Sequence, residues 1–289
     1  PFELGHIREV GLGSFFTPVG WAQNIIEATG ALTGLPAWAT LAVVTITGRM
    51  LILPLLINTQ KEAVKLQLVQ PKITAVQQQM AAERAEGSIT AMSSQQHMVE
   101  IQKIYASVGY KMSRAMGGAV SQLLFSASFF LGVRAMANVP IEQLTYGSGA
   151  LWFQDLSAVD PYYILPALAT ISFVGMMRMA ATDAPPNERF PNLFNGMTLF
   201  TGMSFLFLAN LPAALCFQMA CNGVFGLFQS SLLRIPSFRK LVGLAPRVVY
   251  TPRSMRESLT DWRGGWGRLQ EANRLAQEGE AQKRRKNRF

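Results

Sequence analysis

Trp38-Ala-Thr-Leu-Ala-Val-Val-Thr-Ile-Thr-Gly-Arg-Met-Leu-Ile-Leu-Pro-Leu-Leu-Ile57 is an apolar run that carries one charge, Arg49. About 20 mostly apolar residues suffice for a helix to cross a bilayer, so the run predicts a transmembrane helix over 37–57. Arg49 lies inside the run and not at its edge. A charge at bilayer depth costs at least about 2.5 kcal/mol, so it requires a polar partner, a route to the interface or a hydrated cavity. At ~1.5 Å of rise per residue, Arg49 stands about 12 Å from Ile57. That is within one half of a hydrocarbon layer ~30 Å thick.

The same reading extends outward in both directions. Residues 1–36 form a flanking segment, in which Thr17-Pro-Val-Gly-Trp21 is a turn into a short amphipathic helix over Trp21–Thr29. The chain starts at Pro1 and not at a methionine, which fits prior removal of a targeting peptide. Residues 58–111 are polar, with apolar residues at helical spacing in Lys61–Val69 and Ile89–Val108 and a break at Gly87-Ser88. They predict a helical hairpin outside the membrane, bent at Pro71, while Pro54 predicts a kink in the span before it. A plain solvated coiled-coil pair and a specific docking platform both fit that hairpin.

Further apolar runs predict spans over 112–137, 162–181, 190–210 and 212–233, separated by a loop (138–161), a polar link (182–189) and the turn Asn210-Leu-Pro212. In the loop and just after it, Trp152, Phe153, Tyr162 and Tyr163 predict an interfacial aromatic belt. Arg134, near the far end of the second span, reads as a snorkelling side chain. The expected fold is an all-α integral membrane protein. It has five transmembrane helices, a helical hairpin on the cytoplasmic or matrix side, and a basic helical C-terminal tail over 234–289.

Two spans carry polar stripes. Gln122 and Ser126 are one turn apart in the second span, with Ser121 and Ser128 beside them; Gln218, Asn222 and Gln229 fall on one stripe of the fifth. Interhelical amide hydrogen bonds account for such stripes. Together with Arg49 they also fit the wall of a hydrated groove.

Composition narrows the function. Only 15% of the 289 residues are charged, against about 25% in soluble domains. Cys216 and Cys221 are spaced for neither a redox pair nor a zinc site and read as packing residues. His6 and His97 lie outside the apolar runs, and no nucleotide or metalloprotease motif occurs. No enzyme chemistry, metal or cofactor is expected. From Arg234 onward, fourteen Lys and Arg face five Asp and Glu, which accounts for the whole net charge of +9. Such a tail suits an anionic partner, either lipid headgroups or RNA.

Topology follows from Lys and Arg placement. With five spans, Lys61, Lys65, Lys72, Arg84, Lys103, Lys111, Arg189 and the tail share one side, while the 138–161 loop has no Lys or Arg. The positive-inside rule predicts the hairpin and C-terminus in the cytoplasm or matrix, with the N-terminus opposite.

Several ordered segments resemble the Oxa/YidC/Alb family of membrane protein insertases, and its animal mitochondrial members most of all. They are Gly34-Leu-Pro-Ala-Trp38, Arg49-Met-Leu-Ile-Leu-Pro54, Gln60-Lys-Glu-Ala63, Arg134-Ala-Met-Ala-Asn-Val-Pro140, Leu151-Trp-Phe-Gln-Asp-Leu156, Asp160-Pro-Tyr-Tyr-Ile-Leu-Pro166 and Leu233-Arg-Ile-Pro236. The resemblance implies an insertase of the mitochondrial inner membrane, with its N-terminus in the intermembrane space and its C-terminus in the matrix. Its clients are nascent, mainly mitochondrially encoded inner-membrane proteins, and the partner of its tail is the mitochondrial ribosome, through rRNA and ribosomal proteins. Arg49 matches the family's groove arginine; Gln218 and Asn222 carry over as groove candidates and join Gln122 and Ser126. In the tail, Arg268, Arg274, Lys283, Arg284, Arg285, Lys286 and Arg288 are the candidate contacts to ribosome or anionic lipid. A small channel or transporter and a respiratory-complex assembly scaffold are the rival readings of the same intramembrane polarity.

Overall fold

The computed structural model describes residues 4–264 apart from Ile89, Pro140, Ile141, Tyr146, 184–191 and Val248. Its elements are α1 (His6–Glu9), α2 (Pro18–Thr33), α3 (Ala37–Ala85), α4 (Ala91–Ser107), α5 (Met112–Asn138), α6 (Glu142–Thr145), α7 (Ile164–Asp183), α8 (Leu193–Leu208), α9 (Ala213–Leu232) and α10 (Pro236–Leu241). A final helix, α11, covers 255–264. There are no strands among the described residues, only two isolated bridges.

The helix ends follow local chemistry. Thr17 caps α2 by accepting from Gly20 N, with Pro18 at the first helical position, where its missing N–H costs nothing. The helix therefore starts three residues before the expected Trp21 and runs to Thr33, where Gly34 ends it with a φ of 67°. Thr90 and Ser93 form a reciprocal capping box at the start of α4.

The largest departure from expectation is α3, which contains 49 residues. It runs through Pro54 and Pro71 without interruption, so the apolar run and the first arm of the hairpin are one helix. Each proline removes a single main-chain bond, and packing outweighs that loss: Val69, Ile73 and Val76 are buried around Pro71. Beyond the turn at Gly87, α4 returns along α3. The hairpin base is closed by Glu62, whose carboxylate accepts from Lys65 Nζ and from the main-chain N–H of Lys111 at 2.9 Å each, while Lys65 also donates to Gly109 O. Its tip is tied by His97 Nε2 and Glu83 Oε1, 3.0 Å apart.

Three helices, α3, α5 and α7, are long and apolar enough to cross a membrane. The described part of α8 is apolar but has 16 residues, about 24 Å at ~1.5 Å per residue. α9 has 20 residues, and its amides, serines and glycines dilute its apolar character. Small residues bring these helices together, as expected where lipid supplies no hydrophobic drive between them. A Cβ on Gly118 of α5 would lie 3.0 Å from the Leu55 carbonyl oxygen of α3, and one on Gly223 of α9 would lie 2.7 Å from Ser172 Cβ of α7. Leu51, Leu123, Phe200 and Met203 face outward and stay exposed, which only a lipid-facing surface tolerates on this scale.

The loop after α6 caps the bundle. Asp160 is fully buried and accepts from Trp152 Nε1, Tyr162 N and Leu165 N, the last of these in the first turn of α7. Ser148 O accepts from Trp38 N at the start of α3, and Ala158 O and Leu156 O accept from Ala213 N and Ala214 N at the start of α9. One loop thus satisfies the open N–H groups of three helices. Phe153 is buried against Phe217, and Trp152 is pinned to Asp160. Both belong to the core and not to the expected aromatic belt, whereas Tyr162 and Tyr163 are exposed. On the same side, α2 packs against α5, and Gln23 joins Gly13 N to Gly132 O.

Candidate functional site

The arginine in the first apolar run finds its partner on α9. Arg49 is 4% exposed, and its Nε donates to Asn222 Oδ1 at 2.6 Å. Among the described residues it makes no other hydrogen bond and no ion pair. Gly226, one turn beyond Asn222, supplies the space. A Cβ there would sit 3.3 Å from Arg49 Nη1 and 2.7 Å from Met176 Sδ of α7. The guanidinium therefore occupies a notch with an amide on one side and a thioether nearby. Asn222 was legible in the sequence as a polar stripe residue; Gly226 was not, although a glycine one helical turn after an amide marks where a neighbouring side chain can approach.

The other stripe residues behave differently. Gln122 Nε2 donates to Ser126 Oγ at 2.9 Å within α5, and its buried Oε1 has no partner. Gln218 and Gln229 are buried, and the Oε1 atom of each is unpaired. Thr45 Oγ1, one turn before Arg49, and Thr170 Oγ1 are unpaired as well. Of the α9 amides only Asn222 bonds to another helix, so interhelical amide pairing does not account for the whole stripe. A buried polar atom without a partner costs about 1–3 kcal/mol. Thr45, one turn from Arg49, and Gln218, one turn from Asn222, border the pair as a polar seam, and buried oxygens of this kind call for water or a polar group from outside.

A second polar cluster lies at the end of α7. Arg234 and Arg247 both donate to the Asp183 carboxylate. Arg234 also donates to Met179 O and Thr182 Oγ1, and Arg247 donates to Thr182 Oγ1. Gln67 of α3 donates to Asp183 O, and Tyr250 N donates to Thr182 O. Nearby, Asn195 of α8 accepts from Arg178 and donates to Ser258 Oγ of α11. The start of the basic segment is thus bound to the end of α7 and the start of α8, and α7 is bound in turn to the middle of α3. Sequence reading treated Arg234 and Arg247 as free tail charges and passed over Arg178; pairings across 17 to 64 positions leave no local signal. The candidate tail contacts Arg268, Arg274, Lys283, Arg284, Arg285, Lys286 and Arg288 lie outside the described residues.

Comparison with known proteins places this architecture. Residues 30–238 match the model of the family described as 60Kd inner membrane protein, a match that takes in α3 to α9 and the Arg49–Asn222 pair. The chain belongs to this family. It is the Oxa/YidC family whose motifs the sequence resembles. The mitochondrial inner membrane protein OXA1L of Bos taurus is 30% identical over 272 residues, covering 92% of this chain and 60% of the relative. Its counterpart in Mus musculus is 29% identical, covering 92% and 61%. OXA1 of Saccharomyces cerevisiae is 27% identical over 237 residues, covering 80% and 56%. The chain thus spans about three-fifths of the length of these relatives.

Proposed function

We propose that this member of the family is a membrane protein insertase, not an enzyme. In this reading it carries nascent, mainly mitochondrially encoded proteins into the mitochondrial inner membrane; the names of its relatives support the compartment, and the clients are what the family resemblance implies. The observation that carries the reading is Arg49: a buried guanidinium with one neutral partner, beside a seam of unpaired amide and hydroxyl oxygens. Moving a client's polar flank through hydrocarbon is expensive. A seam already hydrated partway across shortens the dry path, and the unneutralised charge of Arg49 attracts acidic client residues. In this arrangement the N-terminal half of α3, together with α5, α7, α8 and α9, makes five spans. The α3–α4 hairpin and C-terminus face the matrix, the N-terminus faces the intermembrane space, and the basic tail docks the ribosome through phosphate contacts that weaken with salt.

The test is insertion into proteoliposomes of a ribosome-bound client with an acidic N-terminal flank, read by protease protection at one fixed salt concentration. Wild type is expected to protect the flank, Arg49→Ala to lose most of that protection, and Arg49→Lys to keep part of it. Protection no greater than in empty liposomes sinks the insertase reading and favours a channel or a scaffold. Equal protection by all three proteins leaves an insertase in which Arg49 is structural.

A further inference from the structure

A separate cavity of about 80 Å³ lies at the end of the bundle, lined by Gln60 and Gln67 of α3, Asp183 of α7, and Arg234, Arg239 and Arg247. It is several times the space one water requires, so a compact polyatomic group fits. Its charge is unbalanced. Among the described residues, Asp183 is the one carboxylate lining it, against three guanidinium groups. Arg239 is buried and spends Nε, Nη1 and Nη2 on the neutral carbonyls of Ala245 and Leu233, so its charge is not cancelled. Arg234 bonds only through Nη2, and Arg247 through Nε and Nη2. Three of their nitrogens therefore have no acceptor among the described residues. Excess positive charge with spare, fixed N–H donors is the chemistry that recognises a phosphate group.

Position narrows the source. Gln60 follows the first apolar run by three residues, Asp183 is the last residue of α7, and Arg234 lies just past the end of α9. The apolar run of α3 and the helices α7 and α9 end around this cavity, at the level where headgroup phosphates stand if those segments span the bilayer. We propose that the cavity binds a phosphate-bearing anion, and that its occupant is the headgroup of an anionic lipid. The depth assignment rests on the spans proposed above; the anion chemistry does not.

The experiment uses the full purified chain in neutral detergent, with retained lipid counted by native mass spectrometry and folding followed by the thermal midpoint. No client is present, so the result is independent of insertase activity. Wild type is expected to retain phosphatidylglycerol in preference to phosphatidylcholine. Arg247→Gln should weaken that retention about tenfold. Asp183→Asn, which removes the internal competitor, should strengthen it even where it lowers the thermal midpoint. Arg263→Gln, an exposed change outside the cavity, controls for general tail charge and should leave retention unchanged. Inorganic phosphate that displaces the lipid from wild type but not from Arg263→Gln overturns a cavity origin. Displacement from both identifies free phosphate as a second occupant of the same site, and no displacement assigns the site to the intact lipid. Equal retention by wild type and Arg247→Gln overturns the proposal. So does parallel loss in Arg247→Gln and Asp183→Asn, because a purely structural clamp moves both in the same direction.

Discussion

The loop that caps the bundle and the seam around Arg49 treat buried polarity in opposite ways. In the loop, Asp160 is fully buried and accepts three N–H groups, one of them at the start of α7, and the starts of α3 and α9 receive main-chain acceptors. Among the described residues, Ser148 Oγ is the one buried side-chain oxygen there without a partner. In the seam, an arginine has one neutral partner, and Thr45 and Gln218 each keep an unpaired oxygen. Satisfied polar networks fix a single structure, whereas under-satisfied ones invite exchange with water or ligand. One region is a polar lock, and the other leaves buried polar atoms short of partners.

The strongest way to break this contrast is to remove the lock. Asp160→Ala leaves the indole N–H of Trp152 and two main-chain N–H groups without their acceptor, including one in the first turn of α7. One of these bonds is buried and two are part-buried, so at about 1–3 kcal/mol for each buried donor left unpaired the expected loss is about 2–3 kcal/mol. Thermal unfolding in detergent should show a large drop in midpoint, and insertion should fail together with the fold. A change below about 1 kcal/mol would mean that the loop is no lock.

The next test fills the notch. In Gly226→Val, the new side chain must share space with Met176 Sδ and Arg49 Nη1. Overpacking of this kind costs about 1–3 kcal/mol, and the flexible Met176 puts the expected value at the lower end. The guanidinium has to leave Asn222. Client protection should therefore fall as in Arg49→Ala while the protein stays folded, a split that Asp160→Ala does not show. Full protection in a folded Gly226→Val protein would separate the seam from transport.

How far these regions were legible in the sequence differs for the same physical reason. The apolar runs and their punctuation gave the helices, because length and Pro-Gly chemistry act locally: Thr17-Pro18, Gly34 and Pro212 stand at helix ends. Arg49 was legible as a charge in need of a partner. Its partner lies 173 positions away, and the amide stripe on α9 offered three choices. The continuity of α3 through Pro71 was not legible, because the cost of one lost main-chain bond is local while the packing that outweighs it is tertiary. Trp152 and Phe153 misled for a similar reason, since an aromatic pair in a loop has the same composition at a membrane surface and in a core. The Asp183 cluster joins four segments and exists only in three dimensions.

The hairpin base provides a milder version of the lock. Glu62 is buried, and its carboxyl lies below the ordinary value of 4.5, first through the hydrogen bond from Lys65 and then through the main-chain N–H of Lys111. A depressed folded-state pKa means that the ionised carboxylate stabilises the fold above pH 4.5. That contribution is lost as pH falls below 4.5 and through the lower folded value. Amide exchange at Lys111 should accelerate over that acid range in wild type and lose its pH step in Glu62→Gln. The variant is expected to cost about 1 kcal/mol near neutrality, where one charged hydrogen-bond acceptor becomes neutral. An unchanged pH step in the variant would assign it to another group.

The smallest expected effect is the most discriminating one for the seam. Gln218 is 5% exposed, with Oε1 unpaired, one turn before Asn222. If its amide is held by nothing in the folded protein, Gln218→Leu replaces a poorly satisfied polar group by an apolar one of similar size. Such exchanges are nearly neutral or slightly stabilising, in contrast to the loss expected for Asp160. The thermal midpoint should stay level or rise slightly, while protection of an acidic client flank declines because the wall of the seam has lost a hydratable group. A clear drop in midpoint would show that Gln218 is paired in the working protein. The contrast between lock and seam would then shrink to Arg49 and its notch.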